Sequence, residues 1–341
     1  MSLSLCKRGK SCGGGLKGRI RFNHSFEDII SVENLLEAWR EFSRGKCAKP
    51  DVQEFSLHLM NNIIALHRDL KEKKYKHGGY HGFNISDPKP RNIHKANVRD
   101  RLLHHAIYRK LYPFFDRTFI ADSYSCRVGK GTHKALNRFR RFGWKVSKNN
   151  IKTCFVLKCD IQKFFENIDH KILLEILHKY IKDCDLSQLL EEIVKSFSPG
   201  LPLGNLTSQL FVNIYMNEFD QFMKHKIKAK YYIRYADDFA IFSRDRKWLE
   251  DLIFLIDNFL KQELKLKLHQ DKVFIKTLAS GVDFLGWINF PDHRVLRTST
   301  KRRMFKRIAK KPESSTINSY LGLLRYGDTY KLQRNILIPD S

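Results

Sequence analysis

The stretch YYIRYADDFAIF at residues 231–242 decides the fold. Two apolar and aromatic runs flank Ala236-Asp237-Asp238, which is the pattern of a β-hairpin with two acids at its tip. Adjacent carboxylates in an otherwise apolar hairpin are costly unless a cation or strong donors compensate their charge. An isolated pair can also be two exposed acids in an ordinary turn, because Asp favours turns. The rest of the chain has to separate these two interpretations.

Asp160 favours the interpretation that these acids form a functional site and are not simply exposed in a turn. The run CFVLKCDI at 154–161 is short and apolar, which suits a buried strand, and Asp160 lies near its end. Three convergent carboxylates are the hard oxygen ligands that two Mg²⁺ ions need. The sequence therefore predicts a two-metal site formed by Asp160, Asp237 and Asp238.

Other segments have the periodicity of helices. Apolar residues recur at helical spacing from Phe26 to about Lys73, from Ile172 to Tyr180, from about Thr207 to His225 and from about Lys247 to Glu263. A further helix is predicted from about Arg99 to Leu111, ending before Pro113. Residues 88–93 are predicted to form a loop and an edge strand, and residues 123–133 and 198–202 to form loops.

Composition narrows the class of partner. The 341 residues include 63 Lys and Arg against 36 Asp and Glu, a formal net charge of +27. Such a charge favours a polyanion as partner, although a basic but otherwise ordinary soluble protein is the alternative. The seven cysteines are scattered without C-x-x-C spacing, so we expect them to be reduced and not to bind zinc. Without a long apolar run or signal core, the sequence predicts a cytoplasmic protein with no membrane partner.

Six blocks resemble those of reverse transcriptases. DIQKFF at 160–165, GLPLGNLTSQ at 200–209, YADD at 235–238 and FLGW at 284–287 follow the order of that family. RDR at 99–101 and SYSCRVGKG at 123–131 are similar to early blocks of the bacterial enzymes. The resemblance implies an α+β right-hand polymerase fold with fingers, a palm of antiparallel sheet backed by helices, and a short helical thumb.

The resemblance also implies domain boundaries. A basic flexible leader covers 1–21, fingers with part of the palm cover 22–150, the palm with the catalytic motifs covers 151–290, and the thumb covers 291–341. About thirty residues follow Lys311, so we expect no endonuclease or maturase-like extension there.

Within the superfamily, the block 203–209 is similar to the diversity-generating retroelement branch. It has Gln209 after Ser208, where intron and retron enzymes have Ser-Pro, and Leu203 where they have Gln next to the incoming base pair. The segment SYLGLLRYGDTYKL at 319–332 is also similar to that branch. The branch implies a bacterial or phage-encoded enzyme that copies a structured template RNA into cDNA mutated at adenines, aided by a small, basic, helical and oligomeric accessory protein.

Catalytic roles follow from the resemblance residue by residue. Asp160 and Asp237 are expected to bind both Mg²⁺ ions, for which Mn²⁺ can substitute. The Ile161 carbonyl is expected to be a further ligand, and Asp238 to support the metal at the primer end. Lys272 falls where the family has a lysine beside the leaving pyrophosphate, a general-acid position.

Substrate contacts are carried over in the same way. Phe165 corresponds to the ring beneath the sugar that excludes a ribonucleotide, so dNTPs are the predicted substrates; the alternative is that Phe164 and Phe165 are both core. Arg127 corresponds to the arginine that grips the triphosphate, and an exposed basic loop residue is its alternative. Leu203, Gly204 and Gln209 are expected near the nucleotide.

Two segments are expected to bind the RNA/DNA duplex. Phe284, Leu285, Gly286 and Trp287 resemble the primer-grip turn, where Gly286 permits close backbone approach. Segment 297–311 holds eight basic residues and no acid. It predicts a thumb helix whose charged side, including Arg302, Arg303, Lys306 and Arg307, follows the duplex backbone; a solvated helix face is the alternative.

Two other functions remain open from the sequence. The first is another bacterial reverse transcriptase of the group II intron, retron or phage-defence type, against which Leu203 and Gln209 argue. The second is a non-catalytic RNA-binding scaffold, against which the intact set of three aspartates argues.

Overall fold

The computed structural model describes residues 21–85 and 90–337, so the predicted leader, apart from residue 21, lies outside the described residues. The strands are β1 (Tyr80–Ile85), β2 (Arg91–Ala96), β3 (Phe155–Asp160), β4 (Tyr232–Tyr235), β5 (Asp238–Ser243), β6 (Phe274–Thr277), β7 (Val282–Phe284), β8 (Trp287–Asn289) and β9 (Arg294–Leu296). The helices are α1 (Phe26–Ile30), α2 (Val32–Ser43), α3 (Pro50–Leu57), α4 (Leu59–Lys71), α5 (Val98–Asp116), α6 (Thr132–Val146), α7 (His170–Tyr180), α8 (Cys184–Lys195), α9 (Leu206–Gln221), α10 (Arg246–Leu264), α11 (Thr298–Lys310), α12 (Ser314–Leu324) and α13 (Tyr330–Leu337).

The central sheet has four antiparallel strands in the order β4-β5-β3-β6. Helices cover both of its faces, which explains why β3 and β5 are continuous apolar runs. On one face, the Phe139 ring of α6 meets Phe242 with 4.6 Å between centroids. On the other face, Phe219 of α9 meets Phe239 at 5.1 Å. The predicted strand at 154–161 and the predicted hairpin at 231–242 are both confirmed.

The fingers hairpin pairs β1 with β2, and α5 follows it. Asn97 caps α5 by accepting a hydrogen bond from the Asp100 amide at 2.8 Å. The prediction that this helix ends before Pro113 is wrong, because α5 continues to Asp116 with Pro113 inside it. Phe114 and Phe115 are both buried in the core. Their packing outweighs the one backbone hydrogen bond that the proline removes.

The helical region 26–73 is divided into four helices. The largest break, between α2 and α3, contains Gly45 in the left-handed region at φ +71°, and Pro50 begins α3. Helix α9 matches the prediction for 207–225, since a π-helical turn at Phe222–Lys226 continues it.

A second antiparallel sheet, β7-β8-β9, lies beside the start of the thumb. Strand β9 pairs with β8, so this sheet crosses the predicted palm boundary at 290. Helix α11 forms where the thumb helix was predicted, and its Met304 is fully buried.

Candidate active site

Backbone pairing places the three aspartates together. Asp160 ends β3 and lies opposite Asp238, the first residue of β5. Asp237 lies in the turn between β4 and β5, and its carbonyl accepts a hydrogen bond from the Ile161 amide at 3.3 Å. Ala236 in the same turn has a left-handed φ of +55°, a conformation that costs a residue with a Cβ about 1 kcal/mol or more. The turn is therefore strained at the point where it presents the acids.

Burial makes the carboxyl groups of Asp237 and Asp238 hard to ionise. It raises the pKa of Asp238 to about 7, and the neighbouring aspartates add to the shift while Lys158 opposes it. Burial also raises the pKa of Asp237, with the charge of Asp160 as the next cause. A site with these properties favours a cation.

Lys158 is a residue of this site to which the sequence analysis assigned no role. It lies on β3 two residues before Asp160, and its Nζ is 2.6 Å from Asp238 Oδ1. The contact is an ion pair rather than a well-aligned hydrogen bond, since Oδ1 has no hydrogen-bond partner of good geometry. The signal was present in the sequence: one lysine in an apolar strand, on the same face as Asp160 because side chains alternate.

Lys272 also reaches the acids. It ends a short 3₁₀ turn, Gln270–Lys272, and its Nζ lies 3.1 Å from Asp160 Oδ1. The turn is fixed by the His269 amide, which donates to the Asp160 carbonyl at 2.8 Å. Two lysines thus pair with two of the three carboxylates. The general-acid role of Lys272 stays a prediction.

Within residues 21–85 and 90–337, no three His, Cys, Asp or Glu side chains are grouped closely enough to bind a metal ion as they stand. Lys158 and Lys272 lie within ion-pair distance of two of the three aspartates. The donor set nevertheless suits a hard cation, since all three side chains offer carboxylate oxygens.

Phe164 and Phe165 follow Asp160 in the chain and differ in burial. Phe164 is buried, whereas Phe165 is half-buried. The Phe165 carbonyl accepts a hydrogen bond from the Leu201 amide at 2.9 Å, and a Cβ on Gly200 would come within 2.1 Å of that carbonyl. Only glycine allows this approach, so the loop at 200–205 is fixed against the segment that follows Asp160.

The same loop is fixed to the fingers hairpin. The His94 amide of β2 donates to the Leu203 carbonyl at 2.9 Å. Gly204 has φ +117°, and a Cβ there would lie 2.9 Å from Ile93 Cγ2. The next residue, Asn205, is buried, yet neither atom of its amide has a hydrogen-bond partner among the described residues. Asn205 lies inside the block 200–209, but no role for it was predicted from the sequence.

Comparison with known proteins gives the family. The family model "Reverse transcriptase (RNA-dependent DNA polymerase)" matches residues 76–289, which is more than half of the chain. The chain belongs to the reverse transcriptase family.

Relatives and solved structures agree with this family. Protein YkfC of Escherichia coli is 24% identical over 68% of this chain and 70% of its own length. The group II intron-encoded protein LtrA of Lactococcus lactis is 25% identical over 66% of this chain, which spans about half of LtrA, 47%. The telomerase of Candida albicans, solved with a fragment of telomeric RNA, superposes with a TM-score of 0.50 at 10% identity, covering 67% of this chain and 48% of that one. The chain therefore has the right-hand polymerase fold and is an RNA-directed DNA polymerase.

Reverse transcriptases generally use divalent metal ions, and Arg127 was predicted to grip the triphosphate that accompanies them. In this reverse transcriptase, the side chain of Arg127 is only 6% exposed and pairs with Asp116 at 2.7 Å. Its guanidinium also donates to the carbonyls of Ile120 and Ser123 at 2.7 and 3.1 Å. These contacts make Arg127 an internal brace of its loop. A contact with triphosphate would require the loop to rearrange, so that role stays a prediction.

The predicted primer grip of the reverse transcriptase divides into buried and accessible residues. Phe284 and Trp287 are buried, and the Phe284 ring stacks on Phe139 with 4.8 Å between centroids. Leu285 and Gly286 form the turn between β7 and β8, both with positive φ, at +52° and +84°. That turn type suits a two-residue hairpin. Any contact with a primer would involve Leu285 and Gly286, while the two aromatic rings support them.

The thumb helix of the reverse transcriptase is amphipathic. Met304, Phe305 and Ile308 belong to the hydrophobic cluster that includes Phe284 and Trp287. The other side carries the predicted duplex-binding residues, among which Arg302, Lys306 and Arg307 are exposed and Arg303 is half-buried. No helix in the described part of the chain is long and apolar enough to span a bilayer.

Proposed function

We propose that this reverse transcriptase belongs to a diversity-generating retroelement and copies its template RNA into cDNA that is mutated at adenines. Leu203 carries the proposal. The His94 amide donates a hydrogen bond to the Leu203 carbonyl, which fixes the backbone of this loop. The side chain at this position is apolar, where the intron-type pattern has Gln. A Gln at this position offers hydrogen bonds that favour correct pairing geometry, and a Leu offers contact without direction. An enzyme rejects a mismatched base most strongly when the mismatch leaves one of the enzyme's polar groups unpaired. An apolar side chain at this position should therefore weaken discrimination between bases.

The proposal includes two Mg²⁺ ions, or Mn²⁺ in their place, held by Asp160, Asp237, Asp238 and the Ile161 carbonyl. When bound, such ions lower the pKa of a primer 3′-hydroxyl and neutralise the triphosphate. The raised pKa values of Asp237 and Asp238 support this assignment, because a divalent cation would offset the cost of ionising both carboxyls. Lys158 and Lys272 would then give up or share their carboxylate partners.

The chain's own residues account for substrate choice. The half-buried Phe165 stands five residues after Asp160 and would exclude a ribose 2′-hydroxyl, so that dNTPs are used. Template RNA and the RNA/DNA duplex are the nucleic-acid partners. A small basic helical accessory protein and a cytoplasmic location complete the proposal.

A group II intron-type enzyme is the second candidate, and one observation favours it. LtrA, an intron-encoded protein, is among the relatives that match two thirds of the chain. Gln209 and Leu203 depart from the intron pattern at the two positions where the branches differ.

Sequencing of cDNA separates the two candidates. Wild type copying its native RNA is expected to place most mismatches opposite template adenine, and Leu203→Gln to lower that error rate. Leu203→Met keeps an apolar side chain and is the matched control, expected to retain the wild-type error spectrum. A wild-type error rate that is equal at all four template bases would refute the retroelement assignment and leave the intron-type candidate.

A further inference from the structure

Helix α6 and the loop after it carry positive charge that the described protein does not neutralise. Residues 123–159 contain no Asp or Glu. The same segment contains ten Lys and Arg residues, namely Arg127, Lys130, Lys134, Arg138, Arg140, Arg141, Lys145, Lys148, Lys152 and Lys158. This is the longest stretch of the sequence without an acid.

Three of these cations have acidic partners. Arg127 pairs with Asp116, Arg138 with Asp122 and Lys158 with Asp238. Five others have no acidic side chain within ion-pair distance in the part of the chain that the structure describes: Arg140, Arg141, Lys145, Lys148 and Lys152. The charge of Arg140 even disfavours the protonated form of its neighbour Arg294, whose pKa is lowered first by burial and then by Arg140.

On helix α10 of the same protein, by contrast, basic residues are neutralised by acids of that helix. Its Arg246, Lys247 and Lys261 pair with acids four residues away at 2.9, 3.2 and 2.5 Å. Helix α6 has no acid at all. The difference marks α6 as a surface that attracts an external anion, because cations held together without counter-charges repel one another.

An exposed aromatic side chain lies among these cations. Trp144 is 50% exposed, and Ile151, in the following loop, is 78% exposed. The opposite side of α6 is buried against the central sheet through Phe139 and Phe142. Trp144 therefore cannot reach the core, and its ring is available for stacking. We call Arg140, Arg141, Trp144, Lys145, Lys148 and Lys152 the α6 surface.

The α6 surface is distant from the catalytic turn. Helix α6 begins beside that turn, where the Thr132 hydroxyl donates to the Tyr235 hydroxyl at 3.2 Å. At a rise of about 1.5 Å per residue, Lys145 lies about 20 Å further along the axis. At that end, Phe142 contacts Tyr231, at the far end of the hairpin from the aspartates.

We infer that the α6 surface binds folded RNA outside the catalytic cleft. Its cations would contact consecutive phosphates, and an unpaired base beside the helical stem would stack on Trp144. RNA fits better than an acidic protein, because a planar ring among guanidinium and ammonium groups matches a base flanked by phosphates. The inference depends on membership of the reverse transcriptase family and not on the proposed adenine mutagenesis.

The test uses the full chain and an RNA hairpin of about 20 base pairs with an unpaired loop, which is longer than the α6 surface. The cleft is first saturated with a separate primer–template duplex. Hairpin affinity is then measured at several salt concentrations. We compare wild type with the triple variant Arg140→Gln, Arg141→Gln, Lys145→Gln. The matched control removes the same charge from α10 by Arg246→Gln, Lys247→Gln, Lys261→Gln.

The α6 triple variant is expected to bind the hairpin at least about tenfold more weakly, with a log–log salt slope reduced by about 2 to 3. The α10 control is expected to bind like wild type, and both variants to extend the preannealed primer at the wild-type rate. Trp144→Ala is expected to lower affinity without changing the slope, since it removes stacking but no charge.

Several results would overturn the inference. The α6 triple variant could bind within twofold of wild type, or the α10 control could lose as much affinity. The hairpin could fail to bind once the cleft is filled, which would assign the surface to the primer–template duplex. Polyglutamate could displace the hairpin as well as unlabelled RNA does, which would favour an acidic protein. Acetylation of Lys145 and Lys148 in wild type gives an independent readout, and these lysines must be protected by the hairpin.

Discussion

Lys158 shows how the palm tolerates a buried carboxylate. An unpaired charge at the position of Asp238 would cost several kcal/mol, and the lysine 2.6 Å away offsets much of that cost. Both side chains are largely shielded from water, at 8% and 21% exposure, so solvent screens the pair only weakly. Lys272 makes a similar contact with Asp160 but is 43% exposed. The two pairs should therefore differ in their contribution to stability.

The first prediction compares these two lysines. Lys158→Met should lower the free energy of unfolding of the metal-free protein at pH 8 by about 1.5 kcal/mol, because Asp238 loses its partner and then takes up a proton instead of staying charged. Lys272→Met should lower it by less than about 1 kcal/mol, since solvent screens an exposed pair. Denaturant unfolding in the presence of a chelator measures both. Equal losses for the two variants would show that Lys158 is not the main partner of the buried acid.

The second prediction concerns how the stability of the protein depends on pH. The pKa of Asp238 is raised from 3.8 to about 7 in the folded protein, so the folded state binds the proton more tightly than the unfolded state. The carboxyl is therefore least costly to folding at low pH, and its cost grows as pH rises from about 4 to about 7. Without metal, the free energy of unfolding of wild type, relative to that of Asp238→Asn, should fall by about 2 kcal/mol between pH 5 and pH 7.

Added Mg²⁺ gives this prediction a second readout. A divalent cation binds the ionised carboxylate, so the rise in melting temperature on adding Mg²⁺ should be larger at pH 8 than at pH 6. A stability difference from Asp238→Asn that does not change with pH would contradict the raised pKa.

Single residues also show where sequence reasoning stopped. The three aspartates could be predicted because charged residues in apolar strands are rare and their strand ends were recognisable. Lys158 and Asp160 are two residues apart in a strand and so lie on the same face, which could have indicated their proximity. The run that contains Lys158 was interpreted only as an apolar strand. The bonds of Arg127 could not be foreseen, because they depend on how the loop folds back onto Asp116, eleven residues earlier.

At the scale of elements, hydrophobic periodicity predicted the helices and strands whose apolar residues are the ones that pack in the core. Strand β3, the β4–β5 hairpin and helices α9, α10 and α11 are where the sequence placed them. Helix α5 passes through Pro113 because Phe114 and Phe115 gain more from the core than the proline costs, a tertiary effect that no local rule contains. The three-residue strands β7, β8 and β9 are too short to show a period, so their sheet was missed.

The third prediction belongs to the thumb helix. Met304 anchors α11 from one side, so the exposed Arg302 and Lys306 can be changed without disturbing the core. Arg302→Gln with Lys306→Gln should weaken binding of an RNA/DNA duplex and reduce the log–log salt slope by about 1.5. Lys247→Gln with Lys261→Gln on α10 is the control with equal charge loss. An unchanged slope in the thumb variant would mean that this side of the helix faces solvent or a protein partner.

For the molecule as a whole, the fold concentrates opposite charges in different places. Acids gather at one end of the central sheet, where the strands end, while α6 and α11 together carry 11 Lys and Arg residues and no acid. A template–primer duplex would then be held by α11, with the reacting ends at the acids, while α6 would hold folded RNA outside the cleft. Catalysis in such an arrangement consists mainly of positioning and charge stabilisation.

Extension of a DNA primer on an RNA template by Asp237→Asn tests the central claim most directly. The substitution removes one ligand charge with little change in shape. Asp271→Asn, which changes an exposed acid 34 residues later in the chain, is the control. Asp237→Asn is expected to extend the primer at least about a thousandfold more slowly than wild type while binding RNA within about twofold of it. Extension within about tenfold of the wild-type rate would contradict the assignment of the three aspartates as the catalytic centre.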